Sequence, residues 1–274
     1  MDVLEIVNEI KRKKELRYIS DDFIYKLVSK ELDKRDYLKN IIENAESIKE
    51  LKRNDLFLQF FKEIRAKLHE IYGVFVPKDI KHAYKILESD ISLEQKIIEL
   101  LKLSRPTKER LNFYSEIYNR LFDKEFKNIL DLACGLNPIS IYFSKLKPKE
   151  YYFLDISPEI LYINSEILSK LGIEPFEFEN DLFDPPKSIF DEYEYIFLWK
   201  TVPVLEKLEK GYAKELISKL NFNYLILSFS RRSLSGKRPL GRAWRPWVYK
   251  LCRELGLSIK KEFETKNEMF FVIT

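Results

Sequence analysis

The sequence contains few of the residues that build disulfide and metal sites. Among its 274 residues there are two cysteines and two histidines. Cys134 and Cys252 lie far apart, with no cysteine or histidine cluster around either, so neither a disulfide framework nor a zinc site is predicted. His69 and His82 are interpreted as ordinary helix residues. We therefore expect no metal in the functional site.

Long apolar runs are also missing. No stretch of about 18 uncharged apolar residues occurs, which argues against a membrane-spanning helix. The N-terminal stretch MDVLEIVNEIKRKK lacks the order of a secretory signal peptide. The chain is 45% hydrophobic and 14% aromatic, which indicates a globular protein. We expect a cytoplasmic monomer that does not bind membranes.

The spacing of apolar residues divides the chain into a helical part and an α/β part. Before about residue 125 the spacing is helical, as in NDLFLQFFKEIRAKLHEIYG. After it, the β-type runs KNILDL, EYYFLD, EYIFLW, YLILSF and EMFFVIT alternate with helical segments, which predicts a parallel sheet covered on both faces. We predict a helical bundle over 1–75, a helical connecting region over 76–125, and a Rossmann-like α/β domain over 126–274.

One short turn has the features of a cofactor site. The stretch LDLACGLNPIS joins the first predicted strand to a helical segment that starts at Pro138. Ligands of parallel sheets bind beyond the carboxyl ends of the strands, which is where this turn lies. Ala133, Gly135 and Asn137 are small or tolerate the left-handed backbone conformation, so we expect the backbone to approach a ligand closely here.

Two acidic residues follow the next two strands and suggest which ligand binds. Asp155 ends the second strand, twenty residues after Gly135, the usual place for a carboxylate that binds ribose hydroxyls. Asp181 follows the third strand and is placed to accept a hydrogen bond from an adenine amino group. The turn lacks the third glycine that a dinucleotide pyrophosphate needs. S-adenosylmethionine has no phosphate, so it is the predicted cofactor.

The fourth strand lacks a recognisable catalytic base. It continues as EYIFLWKTVPVLE, without the Asn/Asp-Pro-Pro-aromatic motif expected for exocyclic amines, and DPPK at 184–187 is interpreted as a turn. Neither cysteine is placed for attack on a pyrimidine. A purine N7 attacks through its own lone pair and loses no proton, so positioning and electrostatics suffice. We therefore predict no catalytic residue in the sense of a general base.

Positive charge is concentrated between Glu215 and Glu254, a segment without acidic residues. Such a segment is typical of a phosphate-binding face. Within it, SRRSLSGKRPLGRAWRPW is predicted to be a loop, in which Trp244 and Trp247 are candidates for stacking on unpaired bases, with a core position as the alternative for Trp247. The predicted RNA-binding residues are Arg231, Arg232, Lys237, Arg238, Arg242 and Arg245.

Several motifs together resemble one known family. TKERLNFYSEIY, LDLACGLNPIS, KTVPVLE and SFSRRSLSGK are similar to motifs of the 16S ribosomal RNA guanine-N7 methyltransferases that confer aminoglycoside resistance, and the similarity runs nearly from end to end. The resemblance implies that Arg110, from the helical connecting region, contacts the carboxylate of the cofactor. With the contacts that it implies elsewhere, the predicted cofactor-binding set is Thr107, Arg110, Ala133, Gly135, Asp155, Ile156, Asp181, Leu182, Lys200 and Glu209.

The leading hypothesis is therefore guanine-N7 methylation of small-subunit ribosomal RNA. Two alternatives stay open: a methyltransferase of the same fold that acts on tRNA or a small molecule, and a non-catalytic RNA-binding relative. The loop after the fifth strand departs from the family pattern, with Ser228-Phe229-Ser230 and Ser235-Gly236 where relatives tend to carry Ser-Phe-Pro and a glycine pair. Antibiotic resistance and housekeeping modification are the two alternatives for the biological role of the protein.

Overall fold

The structure is a computed structural model that describes residues 2–13, 16–69, 80–231 and 241–274. The chain divides into two units, Met1–Lys78 with Ile156–Glu159, and Asp79–Asp155 with Ile160–Thr274. The boundaries at residues 75 and 125 stay predictions. None of the helices in the described ranges is long and apolar enough to cross a membrane.

The described part of the first unit is helical. Its helices are α1 (Val3–Lys11), α2 (Asp21–Leu32), α3 (Asp36–Asn44), α4 (Ile48–Leu51) and α5 (Asp55–Leu68). Helix α5 begins because the Asn54 side chain accepts a hydrogen bond from the Phe57 N–H at 3.1 Å. Phe57 and Phe60 are buried, and burial of such a ring contributes about 2–3 kcal/mol. Leu56, in the same apolar run, is 51% exposed.

The second unit opens with four helices and continues as an α/β fold. The helices before the sheet are α6 (Ile80–Glu88), α7 (Leu93–Leu103), α8 (Arg105–Arg110) and α9 (Tyr114–Leu121). Those within the α/β part are α10 (Pro158–Lys170), α11 (Val202–Leu208), α12 (Tyr212–Lys219) and α13 (Gly241–Leu255). Short 3₁₀ helices span Pro138–Phe143 and Lys187–Phe190. Pro138 takes an early position in the first of these, as predicted, although the turn is 3₁₀ and not α.

Within the described residues the sheet has seven strands, in the order β3-β2-β1-β4-β5-β7-β6. Their bounds are β1 (Asn128–Leu132), β2 (Glu150–Asp155), β3 (Glu174–Glu179), β4 (Glu192–Trp199), β5 (Asn221–Ser230), β6 (Ile259–Glu264) and β7 (Glu268–Ile273). The first five strands are parallel. The carboxyl ends of β3, β2, β1 and β4 are therefore neighbours along one edge, which is the geometry needed to assemble a site from separate strand ends.

The last two strands of the sheet depart from the predicted parallel pattern. Strand β7 inserts between β5 and β6 and runs antiparallel to both. The short connection from Glu264 to Glu268 explains why β7 runs antiparallel to β6, because a parallel pair would need a crossover of a dozen or more residues. Strand β6 was not predicted, since its Lys- and Glu-rich sequence forms no apolar run; apart from Phe263, its residues are exposed or half-buried at the sheet edge.

The predicted loop after the fifth strand is wrong from Gly241 onward, where α13 begins. Trp244, Trp247, Val248 and Leu251 recur at three-and-four spacing. Val248 and Leu251 belong to the core on one face of the sheet, and the two tryptophans pack against it. This burial outweighs the loss of a backbone donor at Pro246, inside the helix. Arg232, Lys237 and Arg238 lie outside the described residues.

Helices cover both faces of the sheet. On one face, α11, α12 and α13 contribute to a core that includes Ile196 and Leu198 of β4. The alternate β4 residues point the other way, where Tyr195 makes an edge contact with Phe122 at 4.9 Å and Trp199 lies 6.1 Å from Tyr118 of α9. The α/β expectation is confirmed in this respect.

Candidate functional site: a turn at the carboxyl ends of the central strands

The turn after β1 is sharply bent at two residues. Ala133 has φ 54° and Gly135 has φ 52°, both in the left-handed region. A Cβ at Gly135 would meet no atom within 4 Å, so glycine is favoured here by the backbone conformation and not by crowding. Asn137 was expected to tolerate the left-handed conformation, but its φ is −63°. Ala133 adopts it instead. This conformation is strained for a residue other than glycine, and strained backbone positions cluster at functional sites.

Asp155 holds this turn from the neighbouring strand. Its Oδ2 accepts a hydrogen bond from the Gly135 N–H at 2.9 Å, and the residue is 9% exposed. From α10, the Asn164 side chain donates to the Gly135 carbonyl at 2.8 Å. The carboxylate predicted to bind ribose therefore also orders the backbone of the glycine turn.

Asp181 and Leu182 follow β3, the edge strand next to β2, and β2 ends in Asp155. The Asp181 carboxylate accepts hydrogen bonds from the backbone N–H groups of Phe183 and Asp184, which fixes its own loop. Leu182 is 5% exposed, and its carbonyl accepts a hydrogen bond from the Tyr212 hydroxyl. The order β3-β2-β1 thus brings a carboxylate and an apolar side chain to the same sheet edge as the turn.

Arg110 lies in a buried ion pair with a residue that the sequence did not single out. Its Nε donates to Glu268 Oε2 at 2.8 Å and its Nη2 to Oε1 at 3.0 Å, a bidentate arrangement. Arg110 is 4% exposed and Glu268 1%. Burial alone would raise the pKa of Glu268, but the charges of Arg110 and Lys200 outweigh it and lower that pKa to about 2. The guanidinium also lies 4.8 Å from the Trp199 ring.

Lys200 joins this ion pair at the end of β4. Its φ of 61° is the second left-handed conformation at a non-glycine residue in the described chain. The bend turns the side chain so that Nζ donates to Glu109 at 3.0 Å and lies 3.4 Å from Glu268. Burial alone would raise the pKa of Glu109, but the charges of Lys200 and Arg105 lower it. Two cations and two carboxylates thus alternate at this edge, within one unit of the structure.

Three other predicted cofactor residues lie in different settings. Thr107 lies inside α8, whose N-cap is Ser104. The Thr107 hydroxyl donates to the Leu101 carbonyl at 2.6 Å. Ile156 packs against the core of the first unit. Glu209 is exposed at the C-terminus of α11.

The two predicted RNA-binding arginines whose side chains the structure describes are both paired with carboxylates of β6. Arg231 Nη2 lies 3.2 Å from Glu264, and Arg245 Nη2 lies 3.1 Å from the same residue. Arg245 also contacts Glu262. The arginine side chains are 43% and 44% exposed, so these pairs are open to water.

The aromatic side chains of this segment are turned toward the core. Trp244 stacks on Phe229 at 5.2 Å, and Trp247 lies 6.0 Å from Trp244 in an edge contact. Both are partly buried and pack against the core. The core alternative is thus confirmed for Trp247, and Trp244 shares that environment.

The described ranges contain no group of three or more Cys, His, Asp or Glu side chains placed to hold a metal ion. Both cysteines are buried, and burial raises the pKa of the Cys134 thiol well above its usual value.

The strand order, the bent turn after β1 and the acidic residues after β2 and β3 define a class I S-adenosylmethionine-dependent methyltransferase fold with a helical N-terminal region. The family model described as ribosomal RNA methyltransferase (FmrO) matches residues 59–243. The chain belongs to this family, and the resemblance read from the motifs is confirmed.

Individual relatives agree with this assignment. A protein of Serratia marcescens named 16S rRNA (guanine(1405)-N(7))-methyltransferase is 25% identical over 275 residues, which cover 97% of this chain and 94% of the relative. One of Micromonospora echinospora with the same name is 26% identical over 230 residues, covering 77% and 81%.

Solved structures show the same fold. The 16S rRNA methyltransferase RmtF in complex with S-adenosyl-L-homocysteine superposes with a TM-score of 0.75 at 24% identity, over 100% of this chain and 98% of that one. The 16S rRNA methylase RmtB gives a TM-score of 0.75 at 22% identity with the same coverage.

Proposed function

We propose that this protein is an S-adenosylmethionine-dependent methyltransferase that methylates a guanine N7 in 16S ribosomal RNA. Membership of the FmrO family and the names of the two relatives support the reaction. The observation that carries the proposal is the bent turn at Ala133 and Gly135, held by Asp155 at the end of the next strand.

The residues at this edge suit the cofactor. Asp155 offers a carboxylate for ribose hydroxyls and Asp181 an acceptor for the adenine amino group, with Leu182 as an apolar contact beside it. Arg110 is the cation for the methionyl carboxylate, and its bidentate partner Glu268 fixes its orientation. When bound, the cofactor supplies a methyl group activated on a sulfonium.

The proposed acceptor is consistent with the side chains at the end of β4. Lys200 is the polar side chain immediately after this strand, and its amino group is engaged by Glu109 and Glu268. It is therefore not arranged as a base. Transfer to N7 requires none, because the attacking lone pair lies in the plane of the base and no proton leaves. The protein contributes position and electrostatics.

RNA recognition is assigned to the basic segment between Glu215 and Glu254, at the arginines that follow β5. Arg231 and Arg245 are exposed, and the phosphate backbone is their proposed partner. The proposed substrate lies within the small ribosomal subunit, which implies a cytoplasmic location. The proposed active form is a monomer.

A transfer assay tests this function. The full-length protein is incubated with S-adenosylmethionine labelled in its methyl group and, separately, with 30S subunits, naked 16S rRNA, total tRNA and a set of small nucleosides. We expect label in 16S rRNA. Label confined to tRNA or to nucleosides, or binding of RNA without transfer, would contradict the proposal and support one of the alternatives.

A further inference from the structure

The side chain of Asn137 bridges the two charged groups on either side of the cofactor turn. Its Nδ2 donates to Asp131 Oδ2 at 2.7 Å. Its Oδ1 accepts from Arg110 Nη1 at 3.2 Å and from the Tyr114 hydroxyl at 3.3 Å. The donor end of the amide thus faces a carboxylate and the acceptor end faces a cation, so only one orientation of the amide satisfies its neighbours.

This bridge is buried throughout. Asn137 is 2% exposed, Asp131 1% and Arg110 4%. In such surroundings a hydrogen bond is strengthened, and a polar atom left without a partner is strongly unfavourable. A residue at position 137 therefore affects both charged groups at once.

The same residue is tied to the turn through its backbone. The Asn137 N–H donates to the Cys134 carbonyl at 3.0 Å, between the two left-handed residues. The Asn137 carbonyl accepts from the Ser140 hydroxyl at 2.6 Å. A change in the side chain is thereby transmitted to the segment in which Ala133 and Gly135 are bent.

Other titratable and charged groups surround Asp131. Tyr151 of β2 donates to its Oδ2 at 3.1 Å. Burial raises the pKa of Asp131 to about 7, and the charge of Asp155 acts in the same direction. The hydrogen bonds from Asn137 and Tyr151 and the charge of Arg110 act in the opposite direction. Further titratable or charged groups near this network are Tyr114 and Tyr118 of α9, Cys134 in the turn, Lys200 at the end of β4 and Glu268 of β7.

We propose that Asn137 is a positioning residue for cofactor binding, acting through Arg110 and Asp131: its amide holds the guanidinium and the carboxylate at fixed places beside the bent turn. This inference rests on the proposed function, because it takes S-adenosylmethionine as the ligand of the turn. It assigns to Asn137 a role that depends on one donor and one acceptor, and not on size or backbone freedom.

The substitution Asn137→Asp separates the need for a donor toward Asp131 from the need for an acceptor toward Arg110. The introduced carboxylate keeps an acceptor for Arg110 and Tyr114, but it has no donor for Asp131 and places a like charge beside it. Two carboxylates at hydrogen-bonding distance share a proton, and the pKa of one of them rises strongly. When that proton is present, its O–H can donate to the other carboxylate and replace the lost amide N–H.

The experiment measures cofactor affinity by calorimetry at several pH values between about pH 5.5 and pH 8.5, a window that brackets the titration of such a pair. The proteins are wild type, Asn137→Asp, Asn137→Leu and the control Asn128→Asp. Asn128 is 8% exposed and starts the same strand at its opposite end, where it accepts from the Glu194 N–H. Thermal unfolding of each variant at each pH establishes that it is folded.

We expect Asn137→Asp to bind at least about tenfold more weakly than wild type at the alkaline end, a loss of about 1.4 kcal/mol, and to recover as the pH falls. Wild-type affinity should stay level or rise with pH, because a charged Asp131 favours the cationic cofactor. Asn137→Leu should bind weakly at every pH, and Asn128→Asp should follow wild type.

A pH profile of Asn137→Asp parallel to that of wild type, or wild-type affinity in Asn137→Leu, would overturn the inference. So would an equal effect in the Asn128→Asp control. A wild-type protein that binds no S-adenosylmethionine at any pH would overturn the proposed function itself, and this inference with it.

Discussion

Arg110 and Arg245 make similar contacts in very different surroundings. Each guanidinium meets glutamate oxygens of the last two strands, Arg110 at Glu268 of β7 and Arg245 at Glu262 and Glu264 of β6. The side chain of Arg110 is 4% exposed, whereas that of Arg245 is 44% exposed. The first pair is enclosed by protein, and the second is open to water and salt.

The difference determines what each pair can do. A buried charge without its partner is strongly unfavourable, so Glu268 fixes Arg110 in one position and makes it suitable for orienting a ligand. An exposed ion pair contributes roughly 0–1 kcal/mol, so Arg245 can exchange a carboxylate for a phosphate at little cost. We therefore expect the buried pair to control folding and cofactor binding, and the exposed pairs to control RNA binding.

The largest expected effect comes from removing the charge of Glu268. Glu268→Gln keeps the shape but leaves Arg110 without a buried counter-charge, and we expect the free energy of unfolding to fall by about 3–5 kcal/mol. Chemical unfolding measures this. The control is Glu116→Gln, because Glu116 pairs with Arg120 at 2.8 Å with both side chains 47% exposed. Equal losses in the two variants would abolish the distinction between buried and exposed pairs.

The second prediction concerns the pH dependence of stability. The pKa of Asp131 in the folded protein is raised to about 7, so the favourable neutral form is fully present at low pH and is lost as the pH rises through 7. We expect this group to lower the free energy of unfolding by at most about 1.4 kcal/mol per pH unit, starting near the ordinary pKa of about 4. Asp131→Asn should remove this slope. A slope that is the same in wild type and Asp131→Asn would show that other groups cause it.

The third prediction is a weaker effect, on the cofactor. Asp155→Ala should weaken binding of S-adenosylmethionine by roughly 1–3 kcal/mol, through the loss of charge-assisted hydrogen bonds and of the support for Gly135. Calorimetry is the measurement, with Asp191→Ala as a control at the opposite end of the sheet, just before β4. Undiminished affinity in Asp155→Ala would remove this carboxylate from the proposed site.

The smallest expected changes are in RNA binding. Arg231→Ala with Arg245→Ala should reduce the salt dependence, because each lost phosphate contact lowers the slope of log K against log salt by about 0.9. Glu262→Gln with Glu264→Gln should have the opposite effect, since these carboxylates compete with phosphates for the same arginines. Filter binding across a salt series measures both. Unchanged slopes and affinities in both double variants would mean that this face is not the RNA contact.

The sequence predicted the strand ends well because they follow from local patterns. Apolar runs that end in a small-residue turn or an acidic residue located the turn after β1, Asp155 and Asp181. Helix α13 could also have been predicted, since Trp244, Trp247 and Val248 have helical spacing. A loop was predicted instead because of Pro246 and the glycines.

The partners of Arg110 were beyond this kind of prediction. Arg110 and Glu268 lie 158 residues apart, and no local pattern relates them. One signal was present: Glu268 begins a strand in which every residue is buried, and a charge there requires a partner. The left-handed conformation at Ala133 and Lys200 could not be predicted from the sequence, because neither residue type favours it.

The most direct test of the central claim identifies the methylated atom. Small ribosomal subunits treated with the protein and S-adenosylmethionine are subjected to reduction and aniline cleavage, which breaks RNA at N7-methylguanosine, and the break is mapped by primer extension. We expect one new cofactor-dependent break at a guanine of 16S rRNA, abolished in Glu268→Gln and weakened in Asp155→Ala. Methyl transfer without such a break, or a break that persists undiminished in both variants, would contradict the central claim.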